Sequence, residues 1–341
     1  MKRIIKMMIL SMLFATPCLS QWTSGRPDGH APLGVMGDHT HEGGEFMLSY
    51  RFVSMQMDGS RDGTDAITAS EVVSPSGGNF MISPEKMPMQ MHMFGVMFAP
   101  SSRITLMAMV PFVSMEMEHL TRAGGSFTTK SSGIGDVSLT ALVLLSENGS
   151  SRVHLNAGIG LPTGSIEEKD VTPASAPNKA LLPYPMQPGS GTLDLRPGLT
   201  YLGQNGAWSW GAQATAKIRL GENDSNYRLG NQFTGTFWGA RRLSQAFGLS
   251  VRLAGSRTGN IEGANPAFAG MVQNRMVPTV FADLRGGTRL DAGLGMNYYL
   301  SNGALHGFRL AVEAILPIYQ NLDGPQLETD LQIVVGTQYA F

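Results

Sequence analysis

Along much of this 341-residue chain, apolar residues recur at every second position, the spacing of strands whose two faces meet different surroundings. The stretch 87–117 (MPMQMHMFGVMFAPSSRITLMAMVPFVSMEM) shows it most plainly. Met87, Met89, Met91, Met93 and Met97, then Met107, Met109, Met115 and Met117, all occupy odd positions. The even positions carry Phe94, Val96 and Phe98, then Ile104, Leu106, Ala108, Val110 and Phe112. Pro100-Ser101-Ser102 supplies a turn between the two runs, so the stretch predicts a hairpin. Residues 45–57 repeat the pattern, with Phe46, Leu48, Tyr50 and Phe52 on one face and Met47, Ser49, Arg51, Met55 and Met57 on the other. Ser49, Arg51, Arg103 and Thr105 share the methionine face, which therefore meets water or an enclosed interior. The branched and aromatic face is free to meet lipid.

Twelve strands are predicted, at 45–57, 89–99, 103–117, 133–146, 151–161, 192–202, 207–220, 227–242, 245–258, 287–300, 305–319 and 328–341. The alternation is weakest in the eighth, where Asn231 falls on the expected apolar face. Long connections (58–88, 118–132, 163–191 and 259–286) alternate with tight turns at 100–102, 146–150, 202–206 and 301–304. Two further loops on the long side, 221–226 and 320–327, are short but polar. Long loops on one side, tight turns on the other and an even strand count predict an all-β fold, a closed antiparallel transmembrane β-barrel of about 12 strands. In lipid the sheet has to close, because an open edge leaves backbone groups unpaired. The long loops are then extracellular, and the short turns and both termini periplasmic. Trp208, Trp210, Tyr201 and Tyr298 near strand ends suit an interfacial girdle. The last strand, with Leu331, Ile333, Val335, Tyr339 and Phe341 on one face, ends like the signal read by the barrel-assembly machinery.

The chain's start predicts export. Lys2, Arg3 and Lys6 precede an apolar run and then Thr16-Pro17-Cys18-Leu19-Ser20, a signal peptide cut near Ser20. Its removal takes three of 25 basic residues and none of 26 acids, leaving 22 against 26, or about −4. It also takes Cys18, the sole cysteine, so neither a disulfide nor thiol chemistry is expected. No later apolar run is long enough for a transmembrane helix. Residues 21–44, rich in Gly and Pro, form a periplasmic N-terminal extension and a candidate plug; 45–341 form the barrel.

Several segments resemble a family of Gram-negative outer-membrane transporters named for the meta-pathway of phenol degradation. They are 133–145 (GIGDVSLTALVLL), 154–164 (HLNAGIGLPTG) and 182–193 (LPYPMQPGSGTL). The opening 34–59 (GVMGDHTHEGGEFMLSYRFVSMQMDG) resembles a methionine- and histidine-rich branch of that group. The resemblance implies an outer-membrane channel or uptake role and carries over no catalytic residues and no particular solute.

With the apolar face outward, the lumen receives Arg51, Arg103, Asp136, His154, Asp194, Arg196, Lys217, Arg219, Arg228, Arg252, Arg289, Asp291, Arg309, Glu313 and Asp330. This set fits a solute path with a mild anionic preference, or equally a network of paired charges filling a narrow barrel. The methionines are more specific. Of 22, 14 lie between Met36 and Met117, and twelve of those hold odd-numbered positions on three consecutive strands or their edges. The expectation is one thioether patch on the inner wall, a soft ligand set for Cu(I) or Ag(I) as ligand, with no required cofactor. The candidate metal residues are Met55, Met57, Met89, Met91, Met93, Met107, Met109, Met115 and Met117, with Met36, His39 and His41 as a capture site at the periplasmic mouth. Met186, Met271, Met276 and Met296 do not extend the patch in sequence, and Met296 is expected to face lipid. Two other readings stay open: a greasy slide for an aromatic or apolar solute, and packing alone. No Gly-x-Ser-x-Gly or His-Glu-x-x-His pattern appears, and Asp38, His39 and His41 are too close together for a triad, so no enzyme is expected. The expected partners are outer-membrane lipid, the assembly machinery, and a small solute or metal ion; nucleic acid is not among them.

Overall fold

The computed structural model describes residues 22–341, so the expected signal peptide lies outside the described residues. The alternating segments form one antiparallel sheet built from β1 (Phe46–Gly63), β2 (Met89–Ser101), β3 (Ile104–Thr121), β4 (Ser138–Asn148), β5 (Ser151–Gly160), β6 (Leu193–Asn205), β7 (Trp208–Leu220), β8 (Gln232–Arg242), β9 (Phe247–Thr258), β10 (Gly287–Tyr299) and β11 (Phe308–Ala340). Each pairs with the next, and β11 returns to β1. The 33-residue β11 makes two passes: Arg309 to Leu322 pair with β10, and Leu322 to Ala340 pair with β1. The ring thus has twelve passes. Its seam runs from Met47 opposite Ala340 up to Gly63 opposite Leu322. This is a closed antiparallel β-barrel.

Solvent exposure is inverted relative to a water-soluble protein. Phe237, Val251 and Leu294 are more than 60% exposed, whereas Thr200, His154 and Asp194 are fully buried. Such a surface is stable only against hydrocarbon, while the backbone groups are satisfied by strand pairing. Met296 lies on the outer face, and Trp208, Trp210 and Tyr201 are exposed there as a girdle requires. The Arg241 guanidinium covers the Trp208 ring at 5.1 Å. At the seam Phe46 lies between Phe98 and Phe341, with ring centres 4.4 and 6.1 Å away.

Four expectations about boundaries are corrected. Residues 118–132 are not a loop: β3 continues to Thr121, and Ser126–Ile134 folds back to pair with its upper half. The predicted strand 133–146 is therefore broken, with only Ser138–Asn148 in the ring. Pro111 sits where β3 exchanges one partner for the other, a position suited to a residue with no N–H. The eighth strand begins at Gln232, not 227; Asn231 lies before it and accepts the Arg219 backbone N–H at 2.9 Å, which explains its failure to fit the alternation. Residues 320–327 are strand as well, so this hairpin rises above the wall instead of ending in a polar loop.

The long connections fold over the opening as a cap. Tyr184, Tyr227, Ile261, Phe268, Val277 and Val280, drawn from three loops, pack into one buried cluster. The Tyr184 ring is edge-on to Tyr227 and Phe268, and its hydroxyl accepts the Asn265 N–H at 2.9 Å. The Arg275 guanidinium lies 4.3 Å over Phe80, joining a fourth loop to the same cap.

Candidate functional site

Most of residues 22–41 are buried, and their partners come from every side of the ring. Thr23 N–H donates to Gln204 Oε1 of β6 at 2.9 Å, and Ser209 of β7 donates to the Asp28 carbonyl at 2.5 Å. The Arg309 guanidinium of β11 donates to the carbonyls of Ser24, Arg26 and Pro27 at 2.7–3.1 Å. Gly34 N–H donates to Glu313 Oε2 at 2.7 Å, while the other oxygen of Glu313 accepts Arg252 Nε at 2.6 Å. His154 and Asn156 of β5 both donate to the Gly37 carbonyl, at 3.0 and 2.8 Å. Arg51 of β1 reaches the Val35 carbonyl and the Met36 sulfur. Trp22, Ala31 and Val35 pack on Leu202 and Trp238. A segment bonded to opposite walls of a closed ring lies inside it. Gly37 is required where it turns: φ is +59°, and a Cβ there would meet the Asn156 amide at 2.8 Å.

These contacts reassign much of the expected charged lining. Arg51, His154, Arg252, Arg309 and Glu313 face inward, but they hold the inner segment instead of lining an open path. Asp194, fully buried, pairs with Arg219 at 2.5 Å and lies 3.7 Å from Arg196. Arg289 pairs with Asp291 at 3.0 Å. Four other residues are not lumen groups. Arg103 is exposed at the β2–β3 turn, because the strand ends before its parity can place it. Arg228 pairs with Glu262 between two short strands of the cap. Asp330 is exposed where a register shift interrupts the β1–β11 pairing. Asp136 lies in the connector before β4, where it accepts the N–H groups of Gly164 and Ser190 at 3.1 and 3.0 Å and so ties two loops together.

Beside the inner segment a cavity of about 260 Å³ is lined by Met36, Met107, Met109, Asn156, Arg196 and Lys217, among others. Met36 thus keeps company with wall methionines. His39 instead stacks on His30, with ring centres 3.8 Å apart, and meets His41 edge-on at 4.8 Å. Asp38 Oδ1 lies 3.0 Å from His39 Nδ1. His30 could not be paired with His39 from the sequence, because the turns between them set the contact. Burial pushes His41 down to about 4 and His30 well below the ordinary imidazole value, so both rings are neutral at pH 7. Below them, a recess of about 800 Å³ opens at the periplasmic mouth, lined in part by His30, His41, Glu42, Glu45 and Arg309.

The wall methionines form two clusters instead of one patch. The lower joins Met47 opposite Met97 and Met97 opposite Met107, packed on Leu142. The upper joins Met87, Met115 and Met117, with Met57, Met89 and Met91 against them. Between the clusters the wall carries Arg51 and Val53, and Leu33 of the inner segment packs on Val53. Met55 lies opposite Met89, and Met93 lies between Arg51 and Pro111, outside the upper cluster. Met186 is fully buried in the upper cluster, brought there by the loop after β5 through a short 3₁₀ turn at Tyr184–Met186. Sequence spacing gave no hint of it. Ser131 secures the turn by donating to the Met186 carbonyl at 2.7 Å.

The family model described as "Putative MetA-pathway of phenol degradation" matches residues 87–304, well over half of the chain. The chain belongs to this family. Among solved structures it is similar to an outer membrane channel from Pseudomonas putida, with 13% identity and a TM-score of 0.59 over 90% of this chain and 99% of that one. It also matches the translocator domain of the autotransporter NalP from Neisseria meningitidis, with 13% identity and a TM-score of 0.47 over 88% and 90%. A Pseudomonas aeruginosa FadL homologue matches with 11% identity and a TM-score of 0.37 over 87% and 89%. No curated protein matches the chain in sequence. The fold is that of an outer-membrane channel or transporter.

Proposed function

We propose that this protein is an outer-membrane transporter of soft metal ions, Cu(I) or Ag(I), and that the methionine wall is the surface they bind. It acts by conduction, not catalysis, and enters the membrane through the assembly machinery, which reads the strand ending at Phe341. The observation that carries the reading is the upper cluster. Seven thioethers (Met57, Met87, Met89, Met91, Met115, Met117 and Met186), from three adjacent strands, the strand edge at Met87 and one loop, converge on a few apolar neighbours beneath the cap. Leucine would fill much the same volume; polarizable sulfur adds the capacity to ligate a soft cation. The test is Ag(I) and Cu(I) binding to the refolded barrel beside the M89L/M115L/M117L variant. Tight binding that the variant loses supports the reading; equal binding or none overturns it.

A second reading is favoured by the cavity beside the inner segment. Its mixture of Met36, Met107 and Met109 with Arg196 and Lys217 suits a small apolar or aromatic compound bearing a polar group, in keeping with the family's description. If the variant leaves metal binding unchanged, liposome flux of phenol-sized solutes becomes the decisive measurement.

A further inference from the structure

Among the described residues, one cluster of potential metal ligands has no place in the methionine wall. His30, Asp38 and His39 are each at least nine-tenths buried, and each offers a ligand atom such that all lie within 4.8 Å of one another. We propose that His30, Asp38 and His39, with His41 beside them, form a second metal site for a borderline divalent cation, Cu(II) being the strongest binder. Two observations point to a ligand, not a packing contact. First, Nε2 of His39 and Nε2 of His41 are both buried without a hydrogen-bond partner, which is rare for interior nitrogens. Second, the outer ends of the set are already oriented. Gln338 holds His30 Nδ1 at 2.9 Å, Ala31 N–H holds Asp38 Oδ2 at 2.8 Å, and Glu45 holds His41 Nδ1 at 3.1 Å. Partners on the far nitrogen or oxygen fix ring orientation at metal sites, leaving the near atom to ligate.

The ligand set decides the class of ion. Neutral imidazole with one carboxylate suits Cu(II) and Zn(II), whereas thioethers select Cu(I). The recess at the periplasmic mouth gives access, and Glu42 and Glu45 stand at its lip. Three buried cations around the site are already engaged: Arg309 with three backbone carbonyls, Arg51 with the Val35 carbonyl, and Arg152 with Glu42 and Glu147. The site belongs to the inner segment and does not rest on the methionine reading.

The experiment is titration of the refolded full chain with Cu(II) alone, read by electron paramagnetic resonance. The expected spectrum shows hyperfine splitting from at least two imidazole nitrogens. H39Q and D38N should each weaken binding at least tenfold. A control variant on the outer wall, H92Q, and M89L/M115L/M117L should leave the signal unchanged. Failure of the native chain to bind Cu(II), or a signal insensitive to both H39Q and D38N in folded protein, overturns the proposal. Loss of Cu(II) binding in the methionine variant overturns it too, whereas loss of Ag(I) alone in that variant bears only on the wall.

Discussion

The two ends of the lumen are held by opposite kinds of force. At the periplasmic end the inner segment is fixed by directional contacts: Arg309 on three carbonyls, Glu313 shared between Gly34 and Arg252, and Gly37 between His154 and Asn156. Under the cap the fillers are methionines with no directional demand. A polar network is costly to break, because each lost partner strands a buried group, whereas an apolar cluster exchanges neighbours with little loss. The lower end is therefore built to keep one arrangement, and the upper to tolerate several.

The sharpest break of that comparison removes the inner segment. A variant lacking residues 22–44 should conduct several-fold more than the native barrel in planar bilayers; equal conductance would mean that the segment does not obstruct the pore. Glu313→Ala comes next. It leaves Arg252 buried without its partner, a change worth roughly 3–5 kcal/mol where a buried ion pair is broken. Denaturant unfolding in micelles should show the loss, with proteolysis releasing the segment. Met115→Leu, in the tolerant region, should cost under about 1.5 kcal/mol, since the swap conserves volume. A larger loss would make the upper cluster as exacting as the lower. The smallest effect is alkaline loosening of the cap. Burial raises the Tyr227 hydroxyl to about 12, above its value in an unfolded loop. The neutral form is favoured in the folded cap, so its stabilisation is complete below about pH 10 and is lost as pH rises towards 12. Cap proteolysis should accelerate in that window, and less so in Tyr227→Phe.

The barrel was legible because lipid imposes a strict two-residue period on every pass, and the odd-numbered methionines placed their sulfur on the inner wall by the same rule. The rule fails where strands stop. Arg103 and Asp136 have the right parity but sit in a turn and a connector, and Asn231 ceases to be an exception once the strand starts at Gln232. The pairing of His30 with His39, the arrival of Met186 beneath the cap and the cap cluster of Tyr184, Tyr227 and Phe268 depend on how loops fold in three dimensions. No local period encodes that.

The seam carries a consequence for folding kinetics. Met47 pairs with Ala340, a separation of 340 − 47 = 293 residues. Contacts so distant in sequence form slowly, since the chain has to surrender loop entropy before they reward it. The ring therefore closes last, and a shortened C-terminus halts it as an open sheet however well the other ladders have formed.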